Sequence, residues 1–202
     1  MKVLVIGATG TIGKAVVHAL GGRHEVIAAG RTSAPLKVDI ADRASIAALF
    51  TTTGRVDAVV CAAGEARFRP LANLQDEDFA VSIRSKLMGQ VNLVRIGVDS
   101  VTDGGSITLT SGILSQRPSP GSAAVSMVNA GLEAFTRAAS LEMPRGVRLN
   151  IVSPGWLTET LNALHMDPAH GTPAAIVARA YVQSVEDRRT GQVIGVAEGD
   201  RK

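Results

Sequence analysis

The sequence predicts an α/β fold, a doubly wound seven-stranded parallel sheet with helices on both faces. Three observations carry that expectation. Short continuous apolar runs rich in β-branched residues recur along the chain, the pattern of strands buried on both faces. Amphipathic helical stretches separate them, and strand–helix alternation with right-handed crossovers produces a parallel sheet. With 202 residues, 46% of them hydrophobic and 19% charged, the chain has the composition of a globular protein with one sizeable core.

The elements follow in order. Val3 to Ile6 is the first run, and it stops at Gly7. A helix from Ile12 to Leu20 is closed by Gly21 and Gly22. Strands at Glu25 to Ala29 and Leu36 to Val38 lead to a helix from Asp42 to Phe50, where Asp42 is placed to cap the first turn. The fourth strand is Val56 to Cys61. A long helix from about Asp76 to Val98 carries Phe79, Ile83, Leu87, Val91, Val94 and Val98 at spacings of three and four. The fifth strand, Ser106 to Thr110, precedes a helix from about Ser122 to Leu141 with Leu132, Phe135 and Ala139 on one face. Arg148 to Val152 is the sixth strand, about Pro173 to Val185 the last helix, and Gln192 to Val196 the seventh strand. With no repeat, low-complexity tract or linker, residues 1–202 read as one domain. Residues 116–121, with Pro118 and Pro120, read as a loop near the site.

Composition excludes several functions. A net charge of +3 without a basic tract, and 3% aromatic residues, argue against nucleic acid as a partner. No apolar stretch approaches the roughly 18 residues that span a bilayer, so no membrane association is expected. The lone Cys61 allows no disulfide and points to a reducing cytoplasm, and the first apolar run is too short for a signal peptide. His18, His24, His165 and His170 lack metal-ligand spacing, so no metal is expected; His165 stands where it would border a substrate pocket.

Binding chemistry begins at Gly7-Ala8-Thr9-Gly10-Thr11-Ile12-Gly13, a Gly-x-x-Gly-x-x-Gly turn between a strand and a helix. Glycines there let backbone N–H groups approach a pyrophosphate, and the helix N-terminus adds positive potential. Gly7, Thr9, Gly10, Thr11, Ile12 and Gly13 are therefore expected to bind a dinucleotide. Sites for NAD usually place an acidic residue after the second strand; here Gly30 is followed by Arg31, Thr32 and Ser33. A guanidinium with two neighbouring hydroxyls fits a 2′-phosphate, so NADP is expected ahead of NAD; a solvated turn arginine is the plainer alternative.

At this point the chain resembles the short-chain dehydrogenase/reductase family, over nearly its full length and with a Rossmann-like fold. The resemblance assigns Asp39 and Ile40 to adenine, and sets Cys61-Ala62-Ala63-Gly64 against the family's Asn-Asn-Ala-Gly, placing Ala62, Ala63 and Gly64 beside the adenine ribose. It makes Ser111 the serine that hydrogen-bonds the substrate carbonyl. Pro154 and Gly155 would flank nicotinamide, with Thr158 or Thr160 reaching its carboxamide or the phosphates.

The family's Tyr-x-x-x-Lys pair is missing. Its positions hold Val125, which has no proton to give, and Asn129, which retains only a hydrogen bond to ribose. The family's active-site Asn aligns with Lys86, which the resemblance sends toward the cofactor or an acidic substrate; a surface lysine is the other reading. Water, Lys86 or Tyr181 remain as sources of the proton, and Ser111, Lys86 and Asn129 are the catalytic candidates. Two functions follow. The first is an NADP-dependent oxidoreductase that moves a hydride between nicotinamide and a small carbonyl or alcohol. The second is a catalytically weak NADP-binding sensor. The short region at about 156–191 would hold the small-molecule substrate, with Leu157, Leu161, Leu164 and Met166 either lining the pocket or packing the lid. The resemblance also implies a homodimer or homotetramer through the two long helices.

Overall fold

The computed structural model describes residues 1–196. Seven strands form one sheet in the order β3-β2-β1-β4-β5-β6-β7, every neighbouring pair parallel. They are β1 (Lys2–Ile6), β2 (Glu25–Gly30), β3 (Leu36–Lys37), β4 (Val56–Cys61), β5 (Val101–Thr110), β6 (Arg148–Pro154) and β7 (Val193–Val196). The expected doubly wound α/β fold is present, and its order reverses at β1, which lies between β2 and β4.

Alternation along β1 sorts the core into two layers. Val3 and Val5 point to the face covered by α1 (Thr11–Gly21) and α7 (Ala174–Glu186), where Val16, Leu20, Val177 and Tyr181 are also buried. Leu4 and Ile6 point to the opposite face, against Ile46 and Phe50 of α2 (Arg43–Thr53), Leu93 of α4 (Met88–Gly97) and Leu132 of α5 (Ala123–Ala139). Asp42 caps α2 as expected, its carboxylate accepting from Ala44 N at 2.9 Å. No helix among the described residues is long and apolar enough to cross a membrane.

Four local features depart from the expected elements. β3 keeps only two residues, although Val38 N still donates to Gly30 O at 3.1 Å. β5 begins at Val101, five residues early, because Val101 already pairs with Val56; Thr102 to Gly105 are an irregularity before Ser106 pairs with Ala58. The long helix is split into α3 (Asp76–Ser82), a π-turn over Ile83–Leu87, and α4. A short helix α6 (Thr158–Ala163) occupies the segment after β6.

Candidate active site

The carboxyl ends of β1, β2 and β4 enclose a cavity of about 400 Å³. The turn at its base is locked by backbone bonds: Gly7 N and Ala8 N both donate to Ala29 O, at 2.9 and 3.1 Å, and Gly10 N donates to Gly7 O at 3.0 Å. Gly7 has φ +80°, and a Cβ on it would lie 2.6 Å from Ala62 O; a Cβ on Gly13 would overlap the carbonyl of Gly7. Gly10 differs. Its Cβ would meet only Gly7 O, at 3.4 Å, so its outer face is open. α1 starts here without a side-chain cap and without an acidic residue in its first turn. Thr11, Ile12 and Gly13 form that turn, so the first amides of the helix, next in the chain after Thr9 on the cavity wall, have no carboxylate of their own turn competing for them. A pyrophosphate fits this cradle on the backbone alone.

Gly30, Arg31, Val38, Asp39 and Ile40 form the far wall. Arg31, Thr32 and Ser33 are all exposed, and Lys37 Nζ ties their loop down through Thr32 O and Ala34 O. Asp39 also organises its own turn, with Oδ1 accepting from Ala41 N at 2.9 Å. Ala63 and Gly64 close the near wall, and the loop after β4 is held on the helix behind it by Glu65 N to Ser85 Oγ and Arg67 N to Ser82 Oγ, both 3.0 Å.

The π-turn sets up the join to a second cavity. An extra residue per turn shifts the helix phase, and Lys86 within it turns toward the end of β5. Its Nζ donates to Ser111 O at 3.2 Å, and its stem packs so closely on Gly64 (φ +136°) that a Cβ there would sit 3.0 Å from Lys86 Cα. Burial lowers the Lys86 pKa from 10.5 to about 8, slightly opposed by nearby Cys61. Gln90, one turn on, clamps β5 in both directions through Thr110 N and Thr110 O.

The second cavity, about 170 Å³, is lined by Lys86, Ser111, Val125, Asn129, Pro154, Gly155, Trp156 and Thr160, together with four apolar or glycine neighbours. Asn129 is 2% exposed; its Nδ2 donates weakly to Gly112 O at 3.4 Å, and its Oδ1 is buried with no partner among the described residues. An orphaned acceptor on a cavity wall is what a ligand hydroxyl would satisfy. Val125 presents an aliphatic wall one turn before it.

Ser111, Lys86, Asn129, Pro154 and Gly155 therefore meet in one cavity, while Gly7, Thr9, Arg31, Asp39, Ile40, Ala63 and Gly64 meet in the other. Ala62 touches the turn from behind Gly7. Thr160 lines the second cavity; Thr158 opens α6 with its N–H bonded to Thr172 O. Tyr181 is removed as a proton source: it is fully buried, and its hydroxyl is 2.6 Å from Thr110 Oγ1, with burial pushing its pKa up. His165, Leu164 and Met166 are exposed, away from the cavity, whereas Leu161 packs inward.

Sequence reasoning missed Glu133. It sits one turn beyond Asn129 on α5, 4% exposed, and accepts from Ser111 Oγ at 2.9 Å. The signal was a lone carboxylate on the apolar side of an amphipathic helix, at the same four-residue spacing that links Val125 to Asn129.

The family described as enoyl-(acyl carrier protein) reductase matches residues 13–194. A hydroxynaphthalene reductase of Aspergillus fumigatus is 28% identical over 146 residues, 68% of this chain and 54% of that protein. A 3-oxoacyl-[acyl-carrier-protein] reductase of Rickettsia conorii is 28% identical over 183 residues, 79% of this chain and 75% of that protein. The chain thus spans little more than half the length of the first of these relatives. Among solved structures, a Listeria innocua protein superimposes with a TM-score of 0.94 at 46% identity, covering 97% of this chain and 99% of that one. A small-chain dehydrogenase in complex with NADPH gives 0.89 at 26% identity, covering 99% and 98%.

Proposed function

The chain belongs to the short-chain dehydrogenase/reductase family, and from that premise we propose that it is an NADP-dependent oxidoreductase acting on a small carbonyl or alcohol. The observation that carries the reading is the pair of abutting cavities. One offers a backbone cradle for a pyrophosphate, and the other, joined to it at Gly64 and Lys86, offers Ser111 and an unpartnered Asn129 acceptor.

The amides of Thr11, Ile12 and Gly13 would hold the pyrophosphate, and Val38 and Ile40 would wall the adenine end with Asp39. Arg31 would take the 2′-phosphate, and the NADPH complex of the small-chain dehydrogenase supports that choice of dinucleotide. Asn129 Oδ1 would accept from a ribose hydroxyl, Lys86 would donate to ribose or to an acidic group of the substrate, and Pro154 and Gly155 would back the nicotinamide. The bound dinucleotide supplies or removes a hydride. Ser111 faces the substrate oxygen, and Trp156, stacked edge-on against Phe68 with centroids 5.8 Å apart, covers the mouth and limits water.

Val125 favours a second reading, a dinucleotide-binding sensor, since it removes the usual acid from the cavity wall. One experiment separates the two. Nicotinamide fluorescence is titrated with NADPH and NADH, and reduced-cofactor absorbance is then followed with a panel of carbonyls. Tighter binding of NADPH followed by oxidation of the cofactor supports the oxidoreductase; binding with no turnover on any carbonyl supports the sensor; binding of neither dinucleotide ends both.

A further inference from the structure

The helix that lost the family's proton-handling pair buries a carboxyl group on its next turn, and the serine on the cavity wall is bonded to it. Oε1 of Glu133 accepts from three hydroxyls: Ser111 at 2.9 Å, Ser115 at 2.7 Å and Ser153 at 3.1 Å. Oε2 faces the other way, 3.5 Å from Nε2 of Gln116, an exposed residue in the loop after β5. The carboxyl group therefore has one oxygen on the serine that lines the cavity and the other toward Gln116, a residue that is itself exposed. No cationic side chain forms an ion pair with it among the described residues. Burying a carboxylate without a cation is costly, and a glutamine would hold the same three hydroxyls without that cost. An ionisable group at this point needs a reason other than packing.

We propose that Glu133 is the proton reservoir of the site and Ser111 the relay between it and the substrate oxygen. The inference rests on the oxidoreductase reading above. In reduction, the substrate carbonyl carbon gains a hydride from the reduced pyridine dinucleotide, which is left oxidised. Solvent first loads a proton on the Glu133 carboxylate, and the Ser111 O–H turns from Oε1 to the substrate; the carbonyl π pair then moves to oxygen, which takes the Ser111 Oγ–H proton, and the Oγ takes the loaded proton, restoring the carboxylate. Water beside Gln116 returns a proton to Oε2. Oxidation of an alcohol runs through the same atoms in reverse, and the Ser111 hydroxyl already donates to Oε1, so its lone pairs are free to accept the alcohol proton. Glu133 touches no substrate; it is a positioning and proton-holding residue that acts through Ser111.

The test compares wild type with Glu133→Gln, which keeps an acceptor of the same shape, and Glu133→Asp, which keeps the acid. Readouts are the melting temperature, dinucleotide affinity by nicotinamide fluorescence, kcat and KM for an activated carbonyl such as an o-quinone or α-diketone, and first-turnover proton uptake with a pH indicator. In Glu133→Gln, affinity and KM stay within about twofold while kcat falls by about 10²–10⁴. Glu133→Asp recovers part of the loss. In wild type, proton uptake from solvent lags hydride transfer, because the first proton comes from the reservoir. If Glu133→Gln does not fold, Gln116→Leu at the exposed end replaces it, slowing steady-state turnover and leaving the first turnover unchanged. Unchanged kcat in Glu133→Gln, an unaffected steady state in Gln116→Leu, or proton uptake coincident with hydride transfer in wild type overturns the relay alone. Binding without hydride transfer to any activated carbonyl overturns it as well, and failure to bind any pyridine dinucleotide overturns the functional reading beneath it.

Discussion

The cradle at the ends of β1 and β2 and the cavity at the ends of β5 and β6 abut where Gly64 packs on Lys86, but they are made of different material. The cradle is backbone: a turn locked by Gly7, Ala8 and Gly10 amides, whose side chains matter mainly by being absent. The cavity is side chain: Lys86, Ser111, Val125, Asn129 and, behind them, Glu133. A backbone site survives sequence drift as long as its glycines remain. A side-chain site changes its chemistry with a single substitution, and here the wall carries Val125 and Asn129 one turn apart on α5. Under the proposed function, binding and catalysis would be separable, and substitutions at the two ends should have effects of different kinds.

The largest effect is expected in the cradle. Gly13→Ala places a Cβ on the Gly7 carbonyl, with Gly7 C at 2.7 Å and Ala8 Cα at 2.9 Å, all of them backbone atoms that no rotamer change can move aside. The turn has to open, at a cost of about 3 kcal/mol or more, and dinucleotide affinity falls beyond roughly 100-fold. Fluorescence titration and thermal melting check both. Wild-type affinity in this variant would mean that the turn is not the binding element.

Arg31→Ala probes the one place where the cradle depends on a side chain. Charge-assisted hydrogen bonds to a phosphate contribute about 2–3 kcal/mol, so NADPH affinity is expected to fall by roughly 100-fold with NADH affinity nearly unchanged. Parallel titrations decide it, and equal losses for the two dinucleotides would reduce Arg31 to an exposed turn residue.

The same division governs what could be read from sequence. All seven strands and the glycine turn were legible because β-branched runs and glycine spacing are local signals. The π-turn at Ile83–Leu87 was not, since Phe79, Ile83, Leu87 and Val91 keep the helical spacing straight through it, and the extra residue shows only in the way Lys86 turns toward Ser111. Glu133 escaped for a different reason. Its meaning comes from Ser111, Ser115 and Ser153, which reach it from β5, the following loop and β6, and long-range convergence of that kind leaves no spacing in the chain. α6 was missed because Thr158 to Ala163 has too few residues for a helical period to register.

Lys86 lies at the join of the two regions, and its burial has a pH signature. Between its lowered pKa of about 8 and the ordinary 10.5, the unfolded chain holds a proton that the native state has released. Stability therefore rises with pH across that window, by about 3 kcal/mol, and the penalty for the ammonium in the cavity wall is fully present below pH 8. Lys86→Met abolishes the rise. Denaturant unfolding of both proteins at several pH values measures it, and parallel curves would place the ammonium in water rather than in the cavity.

The smallest effect should come from Tyr181→Phe, and it bears on the comparison because Tyr181 is the one tyrosine in the chain and the second cavity has Val125 and no phenol on its wall. The Tyr181 hydroxyl is 2.6 Å from Thr110 Oγ1, which also donates to Cys61 O at 2.6 Å, so the phenol ties α7 to the ends of β4 and β5 inside the core. Its burial raises the pKa and keeps it away from the substrate. Removing the hydroxyl leaves Thr110 with its carbonyl partner, so the cost is about 1 kcal/mol of stability and turnover is unaffected. A loss of kcat without loss of stability would return the proton to this tyrosine and make the carboxylate on α5 a purely structural hub.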